Sequence, residues 1–261
     1  LGWTIRGEGW AGLMDWTEEA IVLAARPHGE AGVIATVLTE ARGRHAGHVP
    51  GGQSSRAKAV WQPGNLVHAR WGGRTSDQLG SFTAELLDPA AARAMEDPFA
   101  LDLLLAACAV ADGALPEREP HGAVYSALAA LAANIALGAA LLPGLVAFEA
   151  GVLAELGYGL DLGRCAVTGR ADDLAFVSPR TGRAVARDAA GEWAEKLFRL
   201  PPFMRGAAAA TRQDIADGLR ITGHFLAARP FAALNRGLPG PRDRLADRVV
   251  AWVAESPDAK A

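Results

Sequence analysis

The chain is poor in cysteine: among 261 residues only Cys108 and Cys165 carry a thiol. Two thiols cannot build a disulfide framework, and they suit a reducing compartment. Catalytic signatures are missing too. There is no GxxxxGKS/T phosphate loop, no HExxH helix and no GxSxG elbow, and the carboxylates are scattered without a persuasive pair. The expectation is therefore a protein that is not an enzyme and carries no cofactor. Wholesale disorder is excluded, because 50% of the residues are hydrophobic and only 21% are charged. No internal repeat is visible.

Two patterns fail on context. Gly7-Glu8-Gly9-Trp10-Ala11-Gly12 matches GxGxxG, but it follows no strand and opens no helix, as a dinucleotide loop must. The uncharged stretch from Gly122 to Phe148 is long enough to span a bilayer. It is mostly Ala, is interrupted by Asn134, Gly138 and Pro143, and lacks close basic flanks. It reads as two buried helices joined near Leu142-Pro143-Gly144, with no membrane partner. Residues 1–13 show no signal-peptide pattern and no periodicity. Met14 opens the first orderly segment and is the expected true start.

From residue 16 to 88 the chain reads as strands. Ala20–Ala24 and Val33–Leu38 are apolar runs, separated by the turn cluster Arg26-Pro27-His28-Gly29-Glu30. A third strand is expected around Arg44 to Val49. Leu66–Trp71 alternates, with Val67, Ala69 and Trp71 on one face and His68 and Arg70 on the other. Leu79–Leu87 alternates again, placing Phe82, Ala84 and Leu86 together. Five short strands in so little chain suggest a small barrel, with the OB-fold as the leading candidate.

Beyond Asp97 the pattern turns helical. Asp97-Pro98 is an N-cap followed by Pro at the first helical position, and Leu101, Leu104, Leu105 and Cys108 continue at helical spacing. Helices follow over Val124–Leu137 and Leu145–Leu156. Thr211-Arg212-Gln213-Asp214 forms a capping box with Asp in place of Glu; Ile215, Leu219, Thr222 and Leu226 make one stripe, and Pro230 ends it. A last helix spans Arg244–Glu255 through Leu245, Val249 and Trp252. The fold class is thus α+β: a five-stranded barrel over 14–89, then a mainly helical domain over 90–261. That domain is interrupted at about 161–188 by a polar, Gly- and Pro-punctuated insert of turns and hairpins.

The formal net charge of −3 hides an asymmetry. Ala41 to Ser76 contains Arg42, Arg44, Arg56, Lys58, Arg70 and Arg74 and no acid, about +6 against about −9 for the remainder. Cations concentrated on a small barrel make a phosphate-binding footprint, because neutralising phosphates releases condensed counterions. These six are the candidate phosphate-binding residues. Arg56 and Lys58, two apart, reach one face if the segment is extended. Trp61, Trp71 and Phe82 suit base stacking or the barrel core, and the core is the better reading. His45 and His48 lack further ligands nearby to hold a metal. An RNA-binding barrel and a small enzyme without a recognisable motif are the rival readings.

Cys165 is informative for what it lacks. A zinc knuckle needs a second thiol three residues on, where Thr168 stands, and a further pair across the hairpin, near Ser178 and Thr181. One thiolate and hydroxyls cannot hold zinc, and Cys165 reads as a small buried hydrophobe.

Four stretches in order carry a family resemblance. They are Trp16 to Glu30 with its RxxGE turn, Thr39 to Gly43, the run Gly51-Gly52…Ser55-Arg56-Ala57-Lys58…Gln62-Pro63-Gly64-Asn65-Leu66, and Leu156 to Leu162 leading to Cys165. Together they resemble the RecO family of bacterial DNA repair proteins. The resemblance implies an N-terminal OB-fold and a C-terminal helical domain with a degenerate zinc-finger-like insert, some members binding zinc through four cysteines there. It implies binding to single- and double-stranded DNA, annealing of complementary strands, and help in loading RecA onto DNA coated by single-strand-binding protein. It also implies RecR and the C-terminal tail of single-strand-binding protein as partners, and a cytoplasmic, nucleoid-associated location. The tail's carboxylate would need an arginine, for which Arg118, Arg164, Arg170 and Arg183 are candidates.

Overall fold

A computed structural model describes residues 14–73, 79–207 and 209–255. The expectations about residues 1–13, including the start site, and about Arg74 lie outside the described residues.

The barrel begins with a strand longer than its apolar run. β1 (Met14–His28) has 15 residues. It is followed by β2 (Gly32–Thr39), β3 (Gly43–Val49), a short helix α1 (Ser55–Val60), β4 (Leu66–Gly73) and β5 (Ser81–Asp88). The first part of β1 pairs antiparallel with β4, from Met14 opposite Gly73 to Ile21 opposite Leu66. Its second part pairs with β2, with a register shift between Val22 and Ala24. There the Val22 amide donates to the Asn65 carbonyl at 3.0 Å. A bulge bends a strand, and this one lets a single strand serve two neighbours. The order β1-β2-β3-β5-β4 closes into a barrel through β4 and β1, and β3 meets β5 in parallel at His48–Ser81. This is an OB-fold-like arrangement.

Alternation decides what fills the barrel. Val67, Ala69 and Trp71 point inward from β4, as expected, and meet Trp16, Val22, Val37, Trp61 and Phe82. The Trp71 indole donates to the Ala46 carbonyl at 3.2 Å, so the large polar-edged ring is satisfied inside. Leu86 departs from the expected alternation: it is exposed, as is Leu87. The opposite side of the wall faces the helices: Ile21, Leu23 and Leu38 belong to the helical core.

The helical part comprises α2 (Ala90–Ala94), α3 (Pro98–Ala114), α4 (Gly122–Ala133), α5 (Leu142–Glu155), α6 (Arg187–Ala190), α7 (Arg212–Leu226) and α8 (Gly240–Ala254). Asp97 caps α3 by accepting from the Phe99 amide at 2.8 Å, with Pro98 in the first turn. Leu103, Leu104, Ala107, Cys108 and Ala111 are all buried, so α3 is surrounded rather than amphipathic. α4 stops sooner than expected, and a 3-10 segment, Ile135–Leu141, joins it to α5 with Gly138 at φ 55. The stretch Ile135–Glu155 is long and apolar enough to cross a membrane. In this fold 44% of its most apolar window is buried, and Glu149 within it lies fully buried in an ion pair with Arg242. The Thr211–Asp214 capping box opens α7, and Ile215, Leu219, Thr222 and Leu226 are buried. Pro230 does not stop the chain cleanly; it sits within a π-helical turn, Ala227–Phe231.

The segment after α5 forms a small sheet, β7-β6-β8, from β6 (Leu174–Val177), β7 (Ala184–Ala186) and β8 (Phe198–Arg199). It extends past the expected insert and recruits a 3-10 turn, Gly191–Lys196. The barrel docks on the helices through close backbone approach. At Gly64 (φ +93) a Cβ would lie 2.4 Å from Leu104 Cδ2, and at Gly43 (φ +67) 1.8 Å from the Glu119 carbonyl oxygen. Only glycine permits both the conformation and the approach.

Candidate nucleic-acid interface

The five described cations of the acid-free stretch, Arg42, Arg44, Arg56, Lys58 and Arg70, do not form one patch. β1 carries Asp15, Glu18 and Glu19, and its pairing with β4 lays those acids beside the basic strands. Arg70 faces outward, 63% exposed, and is held by Asp15 at 2.9 Å. Its row on the outer sheet is mixed: His68 stands opposite Glu19 on one side and Glu85 on the other. Arg42 donates from Nε to Glu18 at 2.7 Å and lies 5.7 Å over the Trp16 ring. Pairs this exposed contribute about 0.2–1 kcal/mol.

Arg44 has a different task. Its side chain is only 18% exposed, 3.5 Å from both Asp112 and Glu117. Its Nε donates to the Leu115 carbonyl at 2.8 Å, and its own carbonyl accepts from the Arg118 amide. Arg26 holds the other oxygen of Asp112 at 2.6 Å. Arg44 is a strut between barrel and helices, not a free surface cation.

Arg56 and Lys58 stand on α1, which the sequence reading did not anticipate. Ser54 starts it, its hydroxyl accepting from the Ala57 amide at 3.3 Å. A Ser ahead of Ser55-Arg56-Ala57-Lys58-Ala59, all tolerable in a helix, was the available signal. Ala57 and Val60 pack on the barrel core. A helix turns about 100° per residue, so Arg56 and Lys58 flank Ala57 on either side instead of sharing the face an extended segment would give. Both are exposed, and among the described residues neither side chain has a hydrogen bond or ion pair.

The candidate stacking aromatics are interior: Trp61, Trp71 and Phe82 are buried. His45 and His48 lie on opposite faces of β3 and cannot share an ion. His45 packs edge-on against Trp16 and Trp71; burial, helped by nearby Arg118, pushes its pKa below the ordinary value. No three His, Cys, Asp or Glu side chains converge among the described residues.

Around Cys165 the backbone wraps one sulfur. Sγ accepts from the amides of Val167, Thr168 and Ala186 at 3.3–3.5 Å. Burial raises the thiol pKa, but the Thr168 hydroxyl and these amides together outweigh it and bring it down to about 7. Thr168 offers only a neutral hydroxyl, so the donor set does not suit zinc. Of the tail-binding candidates, Arg170 pairs with Asp172 and Asp188, Arg183 with Asp161, and Arg164 donates to the Gly169 carbonyl.

Fold and surface thus define a two-part protein: an OB-fold-like barrel bearing exposed cations, seated on a helical body. Residues 14–90 match the family described as Recombination protein O N terminal, and residues 95–234 match Recombination protein O C terminal. The chain is similar to the DNA repair protein RecO of Acidiphilium cryptum, 50% identical over 251 residues covering 95% of this chain and all of that relative. It is 49% identical to that of Granulibacter bethesdensis (91% of this chain, 96% of the relative) and 46% identical to that of Rhodospirillum rubrum (93% and 99%). The chain belongs to the RecO family of DNA repair proteins.

Proposed function

We propose that this chain is a non-catalytic mediator of recombinational repair that binds single- and double-stranded DNA and anneals complementary strands. With RecR it helps load RecA onto DNA coated by single-strand-binding protein, in the cytoplasm. The observation that carries this reading is near-full-length identity of about half to proteins named DNA repair protein RecO. In it the barrel, residues 14–89, is the DNA-binding domain. Arg56 and Lys58 make the primary phosphate contacts, and Arg42 and Arg70 join by releasing Glu18 and Asp15. Arg74 belongs to the same set by sequence. Arg44 contributes by holding the barrel in place. The fold around Cys165 is a zinc-finger-like insert held by hydrogen bonds instead of a metal.

The tail of single-strand-binding protein docks, in this reading, on the helical body. Two apolar grooves of about 600 and 480 Å³ flank α5 and share Gly144, Ala147 and Ala154. Three measurements test the proposal. DNA binding should weaken steeply with salt and tolerate any sequence, since phosphates rather than base edges are contacted. Immobilised RecR should retain the chain. Preference for RNA over DNA of the same sequence in competition, or failure to bind RecR, would contradict it. For the tail, a labelled peptide should bind the full chain and lose affinity with Ala147→Glu; unchanged affinity would place the tail elsewhere.

A further inference from the structure

Outside the barrel, one groove combines an exposed aromatic ring with unopposed positive charge. It has a volume of about 570 Å³ and lies between the Ser178–Thr181 turn, β7 and the 3-10 turn Gly191–Lys196. Its floor is apolar, from Val185, Ala190 and Leu197. Among the described residues lining it, only Arg180 and Lys196 are charged. Trp193 stands on its wall, 56% exposed, with the Lys196 ammonium 4.7 Å from the ring centroid.

The 3-10 geometry explains how charge is sorted here. Side chains three apart eclipse in such a turn, so Trp193 and Lys196 share one face while Glu192 and Glu195 share another. The nearby Asp188 is already taken by Arg170 at 3.0 Å. The opposite wall is held in place: Arg229 donates to the Arg180 carbonyl at 3.1 Å, and His224 Nε2 lies 2.9 Å from the Pro179 carbonyl. That leaves the Arg180 guanidinium exposed at the rim without a hydrogen bond or ion pair among the described residues.

We propose that this groove is a second nucleic-acid contact, in which an unpaired base of single-stranded DNA stacks on Trp193 and the flanking phosphates meet Lys196 and Arg180. An aromatic face with adjacent cations suits single strands generally: every base has a π-face, and the cations follow the backbone. Duplex DNA keeps its bases stacked and gains nothing from Trp193. The inference rests on the reading that this chain binds DNA and adds a site on the helical body, so that one molecule can touch strand at two separate places.

The test is fluorescence anisotropy of the full chain with labelled oligothymidylate and with a blunt duplex, across a salt series. Trp193→Ala should weaken single-strand binding about tenfold, with the salt slope and duplex affinity unchanged, and Trp193→Phe should recover part of the loss. Arg180→Ala with Lys196→Ala should lower the single-strand slope by about 1.4. If wild-type chain binds the oligonucleotide, and Arg56→Ala/Lys58→Ala weakens binding while Trp193→Ala does not, this inference fails and the DNA-binding reading stands. If wild-type chain binds no DNA at low salt, both fail. Equal losses on single strand and duplex would overturn base stacking. So would Trp193-dependent capture of an acidic peptide with oligonucleotide affinity unaffected by Trp193→Ala.

Discussion

At the scale of single residues, neighbouring cations of one charge class have opposite roles. Arg44 bonds to charged partners in a setting with little solvent, and such hydrogen bonds contribute about 1.5–3 kcal/mol each way they are lost. Arg44→Ala should therefore lower the urea midpoint at unchanged slope, by a stability loss of about that size; an unaltered midpoint would show that the strut is idle. Cys165 makes a pH-dependent contribution. Its thiol pKa falls from 9.0 to about 7 on folding, so the folded state favours the thiolate. The stabilisation is complete above the unfolded value and is lost as pH falls through about 7. The stability gap between the wild-type chain and Cys165→Ala should narrow between pH 9 and pH 6. A gap that widens on acidification would refute the hydrogen-bonded thiolate.

At the scale of elements, Glu149 ties α5 to α7 and α8. Its carboxylate accepts from the Arg242 guanidinium and the Thr222 hydroxyl, and Arg242 also donates to the Leu219 carbonyl at 2.7 Å. Breaking a buried pair by removing one partner strands the other charge. Glu149→Ala should cost about 3–5 kcal/mol, whereas replacing Glu149 and Arg242 together by apolar residues of similar volume should come near neutral. Denaturant melts of the two variants check this, and equal losses would contradict it. Local rules read these elements well where one residue type settles the matter. Asp97-Pro98 and the Thr211 box mark helix starts, and Val67, Ala69 and Trp71 fill the barrel by alternation. The rules miss α1, whose six residues are too few for periodicity. They also miss the full length of β1, whose polar first half is a strand only because β4 lies beside it.

At the scale of the whole molecule, charge is rearranged by folding. An acid-free stretch in sequence becomes a mixed surface, because β1 brings Asp15, Glu18 and Glu19 alongside and the helical body supplies Asp112 and Glu117 to Arg44. No linear reading predicts which strand lies beside which, so the family and the five-stranded fold are legible in the residues while the standing of each cation is not. The groove at Trp193 is hidden for the same reason, since β6, β7 and the 3-10 turn come together only in three dimensions.

Among the described barrel cations this rearrangement leaves Arg56 and Lys58 uncompensated, and in the proposed reading they are the primary phosphate contacts. The most direct test is the slope of log affinity against log salt for single-stranded DNA, measured on wild-type chain and on Arg56→Ala/Lys58→Ala. Both side chains are exposed, so folding should be nearly untouched. Two lost contacts at ~0.7 each should lower the slope by about 1.4. A double variant that folds normally and keeps both the wild-type affinity and the wild-type slope would contradict the claim.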